Sequence, residues 1–431
     1  MRKKQYVNSA ILCFEDESNC EWIYFSIYVQ MLGSVIRRRK GEQSMVVEPK
    51  VKGFICTTAH PVGCKKNVES QIAYVKKQGA IAGAKKVLVI GSSTGYGLAS
   101  RITAAFGMGA ATIGVYFDKP ASGKRTATPG YYNTQAFDEA AAQAGIYTKS
   151  VNGDAFSVEV KQQVIDLIRK DLGKVDLVVY SLASPRRTTA DGTTYSSCLK
   201  TVGEPFTQKN WNLRDNTIGE ATISCANEEE IQSTIKVMGG EDWMDWIQAL
   251  DEAGVLEEHA KTLAYSYIGP TLTYPIYHDG TIGQAKNHLS KTAIEITKEY
   301  KTHDIEAYVS VNKALVTQAS AAIPVVPLYL SVLYKVMKEK NLHEGCIEQM
   351  YRLYNENVYG TDGVKTQQDG MIHVDDWEMR EDVQKEVMDI WKEINSDNLL
   401  QVADTEGYWN DFYQMFGFRV EGVDYTQDVP V

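Results

Sequence analysis

The sequence predicts an α/β fold: a doubly wound parallel sheet with helices on both faces. Three observations carry this. Short β-branched runs recur between Lys85 and Thr317, helical stretches separate them, and the first run ends in a glycine loop that opens a helix. Strands that alternate with helices build βαβ units, and strands covered on both faces read as continuous apolar runs.

The elements follow in order. Lys85–Gly91 (KKVLVIG) is the first strand, and the Ala-, Gly- and Leu-rich stretch Thr94–Met108 is a helix packed closely on the sheet. Ala111–Asp118 is a second strand. Phe137–Gly145 is a helix ending at a C-terminal glycine. Tyr147–Phe156 is a third strand and turn, and Val158–Leu172 an amphipathic helix. Val175–Ala183 is a fully buried fourth strand; Thr262–Gly269 and Glu306–Thr317 add two more. Between the fourth and fifth lies a long insertion, Ser184–Lys261, polar at first and helical over Glu241–Gly254. The last hundred residues read as helices over Leu328–Lys340, His343–Tyr359 and Asp375–Ile394.

Composition narrows the function classes. The chain has 431 residues, 44% hydrophobic and 23% charged, which are ordinary globular values. The net charge of −10 speaks against a dedicated nucleic-acid binder, whose phosphate contacts need a basic face. The longest mostly apolar stretch, Trp22–Ile36, is 15 residues long and carries Ser, Tyr and Gln, so no stable membrane insertion is expected. The seven cysteines are dispersed, without a CxxC pair, which suits structural thiols in a reducing cytoplasm and gives no metal site.

Residues 1–44 differ from the rest. Their net charge is +2, leaving −12 on 45–431, and FEDESNCE interrupts anything like a signal peptide. Met45 opens a natural-looking start, so 1–44 are read as an extension, disordered or outside the fold. Length alone suggests two or three domains. The strand pattern revises that to one catalytic body, 45–431. It has a Rossmann-type core at about 85–320 and helical substrate or lid elements at about 184–261 and 320–425.

Gly91-Ser-Ser-Thr-Gly95-Tyr-Gly97 has the G-x-x-x-G-x-G spacing. Gly91 permits a tight turn, Gly95 lets the backbone approach a pyrophosphate, and Gly97 brings the helix close to the sheet. The anion then meets free N–H groups at the helix N-terminus. Asp118 follows, placed to accept from the adenosine ribose hydroxyls; its charge opposes a 2′-phosphate and favours NADH over NADPH. Asp154-Ala155 and Leu182-Ala183 close the next two strands where adenine and ribose contacts belong.

After the fifth strand come Tyr277 and Lys286, nine positions apart. Nine steps of about 100° put two side chains on opposite faces of one helix. His278-Asp279-Gly280 breaks regularity, and Thr281-x-x-Gln284 has the spacing of a capping box that starts a helix at Thr281. Tyr277 on the entering segment and Lys286 in the second turn can then converge. An ammonium beside a phenol favours phenolate, acidifying a group whose ordinary pKa is about 10.

GSSTGYGLASRI, VYSLASPRR, VMGGEDW, TLAYSYIG and Tyr-x8-Lys with GTIGQAK resemble the trans-2-enoyl-CoA reductases, which are grouped with the V-type enoyl-acyl-carrier-protein reductases. HPVGCKKNVESQI and VNKALVTQASAAIP fit as well, so the likeness spans about 45–425. It implies an enlarged short-chain-reductase-like fold and NADH-dependent reduction of a trans-2-enoyl thioester to the saturated acyl thioester. The carrier is coenzyme A or a carrier protein, in fatty acid synthesis or butyryl-CoA-type fermentation. By this resemblance Gly91, Ser92, Ser93, Thr94, Gly95 and Tyr96 hold the pyrophosphate, and Phe117 and Asp118 the adenosine. Asp154, Ala155, Leu182 and Ala183 line the cofactor. Leu315, Val316 and Thr317 meet the nicotinamide end. Tyr277 is the proton donor, Lys286 a cofactor contact, and Tyr267 the ligand of the thioester carbonyl. The protein is expected as a monomer or homodimer.

Other residues receive plainer readings. His60 lacks a second ligand at metal spacing and reads as structural or pocket-lining; His278 reads as outward-facing. Trp243 and Trp246 share a helical face and read as core. Leu328–Met337 is either a lid over the acyl chain or core. Arg186, Arg187, Lys65 and Lys66 read as solvated charge, with coenzyme A phosphates as the alternative. Two rival functions remain: a carbonyl or alcohol oxidoreductase, which would show Tyr-x3-Lys, and a non-catalytic NADH sensor, which needs no Tyr277–Lys286 convergence.

Overall fold

The computed structural model describes residues 44–52, 55–318 and 320–431. The expectation for 1–44 lies outside these residues except at Ser44, which pairs antiparallel with Pro430 while Met45 pairs with Val429.

Seven parallel strands form the main sheet: β1 (Lys86–Ile90), β2 (Ala111–Tyr116), β3 (Thr148–Asn152), β4 (Val175–Tyr180), β5 (Leu256–Ser266), β6 (Glu306–Val311) and β7 (Ile372–His373). Their order across the sheet is β7-β6-β5-β4-β1-β2-β3. The chain therefore reverses direction between β1 and β4, which opens a crevice at the strand C-termini, the usual ligand position in such sheets. Successive side chains point to opposite faces. Leu88, Ile90, Val178 and Tyr180 face helices Val158–Asp171, Glu241–Glu252 and Thr281–Glu299. Val87, Val89, Leu177 and Val179 face helices Pro61–Gln78, Gly95–Ile102 and Cys346–Arg352.

A third apolar cluster lies beyond the sheet. Helix Val326–Glu339 is buried along most of its length and packs against helices Glu381–Glu393 and Thr405–Gln414. The same cluster takes in Trp211 and Ile223 from the hairpin Phe206–Asn212/Thr217–Ile223, and Tyr277, Leu315 and Val316. The Leu328–Met337 segment is thus core, and it also lends Leu330 and Tyr329 to a cavity wall.

Several sequence expectations are corrected. Thr94–Met108 is an α-helix only over Gly95–Ile102 and widens to a π turn over Thr103–Gly107. The sixth strand stops at Val311, and Asn312–Thr317 runs on irregularly because its N–H groups find side-chain partners: Lys313 N donates to Gln349, Ala314 N to Glu378 and Val316 N to Tyr334. The fifth strand starts at Leu256, inside the expected insertion. That insertion holds two hairpins besides its helices, Arg186–Thr188/Thr194–Ser196 and Phe206–Asn212/Thr217–Ile223. Among the described residues, no helix is long and apolar enough to cross a membrane.

Candidate active site

The glycine loop forms as its spacing requires. Gly91 sits at φ +85°, and a Cβ there would meet Ser181 O at 2.0 Å. A Cβ on Gly97 would lie 1.9 Å from Gly91 O, so only glycine lets the helix start this close to the strand. Gly95, at φ +53°, has nothing within 4 Å of its Cβ position. Its helix begins after Thr94, which caps no N–H with its side chain. Open space beside uncapped N–H groups fits an anion such as a pyrophosphate.

A cleft of about 430 Å³ opens there. Gly91, Ser93, Thr94, Gly95, Tyr96, Phe117, Asp154, Ala155, Leu182, Ala183 and Thr317 line it, all anticipated from sequence. Phe117 is 78% exposed, a free ring face at the end where an adenine would lie. Asp118 stands two residues past β2, and its Oδ1 accepts from Thr128 Oγ1 at 2.6 Å. Ser92 departs from expectation: it is fully buried and its hydroxyl donates to Val115 O at 3.1 Å, bracing the loop from below. These residues fit a dinucleotide.

A smaller cavity of about 180 Å³ adjoins the cleft through Tyr96, Ala183 and Thr317. Tyr267, Tyr277, Lys286, Leu315 and Thr317 all line it, so the structure brings the expected catalytic groups together. Val316 is buried behind this wall. Tyr277 ends the short helix Tyr274–Tyr277, and Lys286 lies in the second turn of helix Thr281–Glu299. The helix starts at the expected residue for a different reason. No capping box forms; Thr281 Oγ1 donates to Cys198 O and accepts from Lys200 N, while Gln284 reaches back to Asp279 O.

The electrostatics also differ from the expected pair. Lys286 Nζ donates to Tyr265 O at 2.8 Å. Burial lowers its pKa to about 8. The Tyr277 phenol is held well above its ordinary range by burial and then by the charge of Glu378. Lys286 is therefore not among the groups that act on the Tyr277 phenol, which burial and Glu378 hold in its protonated form. Among the described residues its hydroxyl has no hydrogen-bond partner, and its ring meets the Tyr267 ring edge-on at 4.8 Å and 88°. Tyr267 Oη instead donates to Glu378 Oε1 at 2.9 Å.

Two buried residues here, Glu378 and Lys313, escaped the sequence reading, and Tyr329 lies in the segment read as lid or core. Glu378 is 0% exposed, Lys313 is 2% exposed and Tyr329 is 1% exposed. Glu378 sits in the acidic run DDWEMRED and looks like a solvated acid in sequence. Nothing local distinguishes it.

The remaining candidates are settled by burial. His60 is buried, and its Nδ1 accepts from Gly63 N at 3.1 Å, so it caps helix Pro61–Gln78. His278 faces outward beside Asp279, and Trp243 and Trp246 are core. Lys65 pairs on the surface with Glu139. Arg187 corrects the solvated-charge reading: it is 5% exposed and bound to Glu241 and Asp245.

A reversed-order parallel sheet with a glycine loop at its switch point defines the class of Rossmann-type dinucleotide-binding proteins. Within that class, three family models tile the chain. They are the NAD(P)H binding domain of trans-2-enoyl-CoA reductase over residues 46–123, the trans-2-enoyl-CoA reductase catalytic region over 125–359, and an enoyl reductase FAD binding domain over 366–429. The chain belongs to the trans-2-enoyl-CoA reductase family.

It is 57% identical over 385 residues to an enoyl-acyl-carrier-protein reductase (NADH) of Flavobacterium johnsoniae, covering 89% of this chain and 97% of that one. It is 58% identical over 388 residues to a trans-2-enoyl-CoA reductase (NADH) of Clostridium perfringens, covering 90% and 99%. The crystal structure of Treponema denticola trans-2-enoyl-CoA reductase in complex with NAD superposes with a TM-score of 0.87 at 52% identity, over 89% of this chain and 98% of that one.

The residues of 366–429 do not fit the flavin in the third description. Val383, Val387, Trp391 and Phe412 are spent on core packing. A cavity that this segment helps to line carries Asp411 and Glu348, two acids that oppose a diphosphate.

Proposed function

We propose that this protein reduces the 2,3 double bond of trans-2-enoyl thioesters with NADH. The observation that carries this reading is that Tyr277, Tyr267 and Lys286 line one cavity that opens onto the dinucleotide cleft. Bound NADH supplies a hydride. The chain's own residues do the rest. The Gly91–Tyr96 loop and helix N-terminus take the pyrophosphate, Phe117 and Asp118 the adenosine, and Asp154, Ala155, Leu182 and Ala183 the cleft walls. Leu315, Val316 and Thr317 would border the nicotinamide end, and Lys286 would contact the cofactor there. As hydride adds to Cβ, charge develops on the thioester oxygen. Tyr277 and Tyr267 stabilise it by donating their hydroxyls, an electrostatic contribution that usually dominates such steps. Tyr277 then passes its proton toward Cα, directly or through water.

A carbonyl reductase or a mere NADH sensor is less well supported, since neither needs this second, phenol-lined cavity. The experiment is NADH oxidation with crotonyl-CoA. Tyr277→Phe is expected to lower kcat by about 100-fold or more, with NADH affinity unchanged. Normal turnover in that variant would remove Tyr277 from the mechanism. Rates on enoyl-CoA against an enoyl-carrier-protein decide the carrier; the relatives' names include both. We place the enzyme in the cytoplasm, as a monomer or homodimer, with 45–431 as one catalytic body.

A further inference from the structure

The site rests on a buried acid from a distant part of the chain. Glu378 lies between β7 and helix Glu381–Glu393. Its Oε1 accepts from Tyr267 Oη at 2.9 Å and from Tyr329 Oη at 2.7 Å, and its Oε2 accepts from Ala314 N at 2.6 Å. Burial raises its pKa, Lys313 opposes that rise, and Asp375 adds to it. Gln384 Nε2 donates to Glu378 O at 2.7 Å and holds the acid's own backbone in place.

A phenol has one proton to donate. The Tyr267 proton is spent on Glu378, while the Tyr277 hydroxyl, on the same cavity wall, has no hydrogen-bond partner among the described residues. The two phenols therefore cannot enter the reaction in the same way. Tyr277 can meet a thioester oxygen at once. Tyr267 must first give up an existing acceptor.

We propose that Glu378 is a positioning residue for substrate capture, and that the enoyl carbonyl binds by exchange, replacing Glu378 as the acceptor of the Tyr267 hydroxyl. This rests on the reading that Tyr267 meets the carbonyl. The exchange is feasible because the carboxyl keeps its bonds from Tyr329 and Ala314, so no buried acid is left bare. The Glu378 bond fixes the Tyr267 ring, which meets the Tyr277 ring edge-on. The Ala314 bond couples the same acid to the segment that leads into Leu315–Thr317.

The test is a double-mutant cycle on the full chain, with NADH and crotonyl-CoA. Glu378→Gln keeps the shape but leaves a single carbonyl oxygen to serve the two phenols and the Ala314 N–H, so the acceptor offered to Tyr267 is weakened. Exchange becomes easier, so the enoyl KM is expected to fall roughly fivefold while the NADH KM stays put. In a Tyr267→Phe background, Glu378→Gln should leave the enoyl KM unmoved, because the bond being exchanged is gone. Equal shifts in both backgrounds, or none in either, overturn the proposal. A change of Tm alone, as a purely structural role would give, overturns it too.

If Tyr267→Phe by itself leaves the enoyl KM unchanged, the carbonyl contact of Tyr267 fails and the exchange with it. Failure of the wild type to oxidise NADH with any enoyl thioester counts instead against the functional reading. Should Glu378→Gln lose NADH binding through misfolding, Tyr329→Phe carries the test. It leaves Tyr267 as the sole phenol on Oε1, and the enoyl KM is expected to rise; a fall or no change overturns the exchange.

Discussion

Lys286 shows how a single residue trades stability for chemistry. Its pKa is lowered from 10.5 in the free state to about 8 by burial. Below pH 8 the lysine is charged in both states, and the full cost of burying the charge is present. Between pH 8 and 10.5 the unfolded chain holds the proton that the folded chain has shed, so stability rises with pH across that window. Lys286→Met is therefore expected to raise Tm by about 2 °C at neutral pH, with the gain shrinking toward pH 10, while NADH binding weakens. Melting curves at several pH values check this. At Asp118, Asp118→Ser is expected to raise the NADPH/NADH ratio of kcat/KM by about tenfold or more, because the carboxylate that opposes a 2′-phosphate is removed; initial rates with both coenzymes decide. That Tyr277 and Lys286 reach one cavity was legible in sequence, because each stands at a fixed spacing from a strand end or a helix start. Glu378 was not, because what makes it unusual is burial against Tyr267, 111 positions away.

At the scale of elements, the glycine loop and the helix-to-helix ties invite direct tests. Gly97→Ala places a methyl 1.9 Å from Gly91 O and must push the helix off the loop. NADH Kd, followed by fluorescence titration, is expected to rise about tenfold or more. Lys161 and Asp242 join helix Val158–Asp171 to helix Glu241–Glu252 through a 2.6 Å contact, with side chains 10% and 2% exposed. Tyr180 also donates to Asp242, at 3.1 Å. Asp242→Ala leaves the ammonium buried and uncompensated, so urea unfolding should show a loss of about 3 kcal/mol. The sheet strands were readable because β-branched runs bounded by glycine have few other ways to pack. The hairpins of the insertion were not. Phe206–Asn212 is mostly polar with no clean period-two pattern, and what holds the hairpin comes from far along the chain: Trp211 and Ile223 pack in the cluster of helix Val326–Glu339, and Lys209 donates to Trp391 O, Lys392 O and Ile394 O.

For the molecule as a whole, the relatives cover 97% and 99% of their own lengths on about nine-tenths of this chain. Deleting residues 1–43 is expected to leave Tm and NADH turnover unchanged, with Ser44 and Met45 still paired to the C-terminal strand. A lower Tm in the shortened chain would tie the extension to the fold. By itself, the amino-acid order determined the parallel sheet, the glycine loop, the nicotinamide chemistry and the Tyr277–Lys286 convergence. All of these depend on periodicity and on spacings within one or two consecutive elements, where chain geometry leaves little freedom. Tertiary structure alone decided which hydroxyl is free and which is held, that Lys286 turns to the Tyr265 carbonyl, and that an acid from the last quarter of the chain stands beneath the site. Those features are set by burial and by partners far apart in sequence. The free energy of a buried charge depends on everything packed around it, and no local pattern records that.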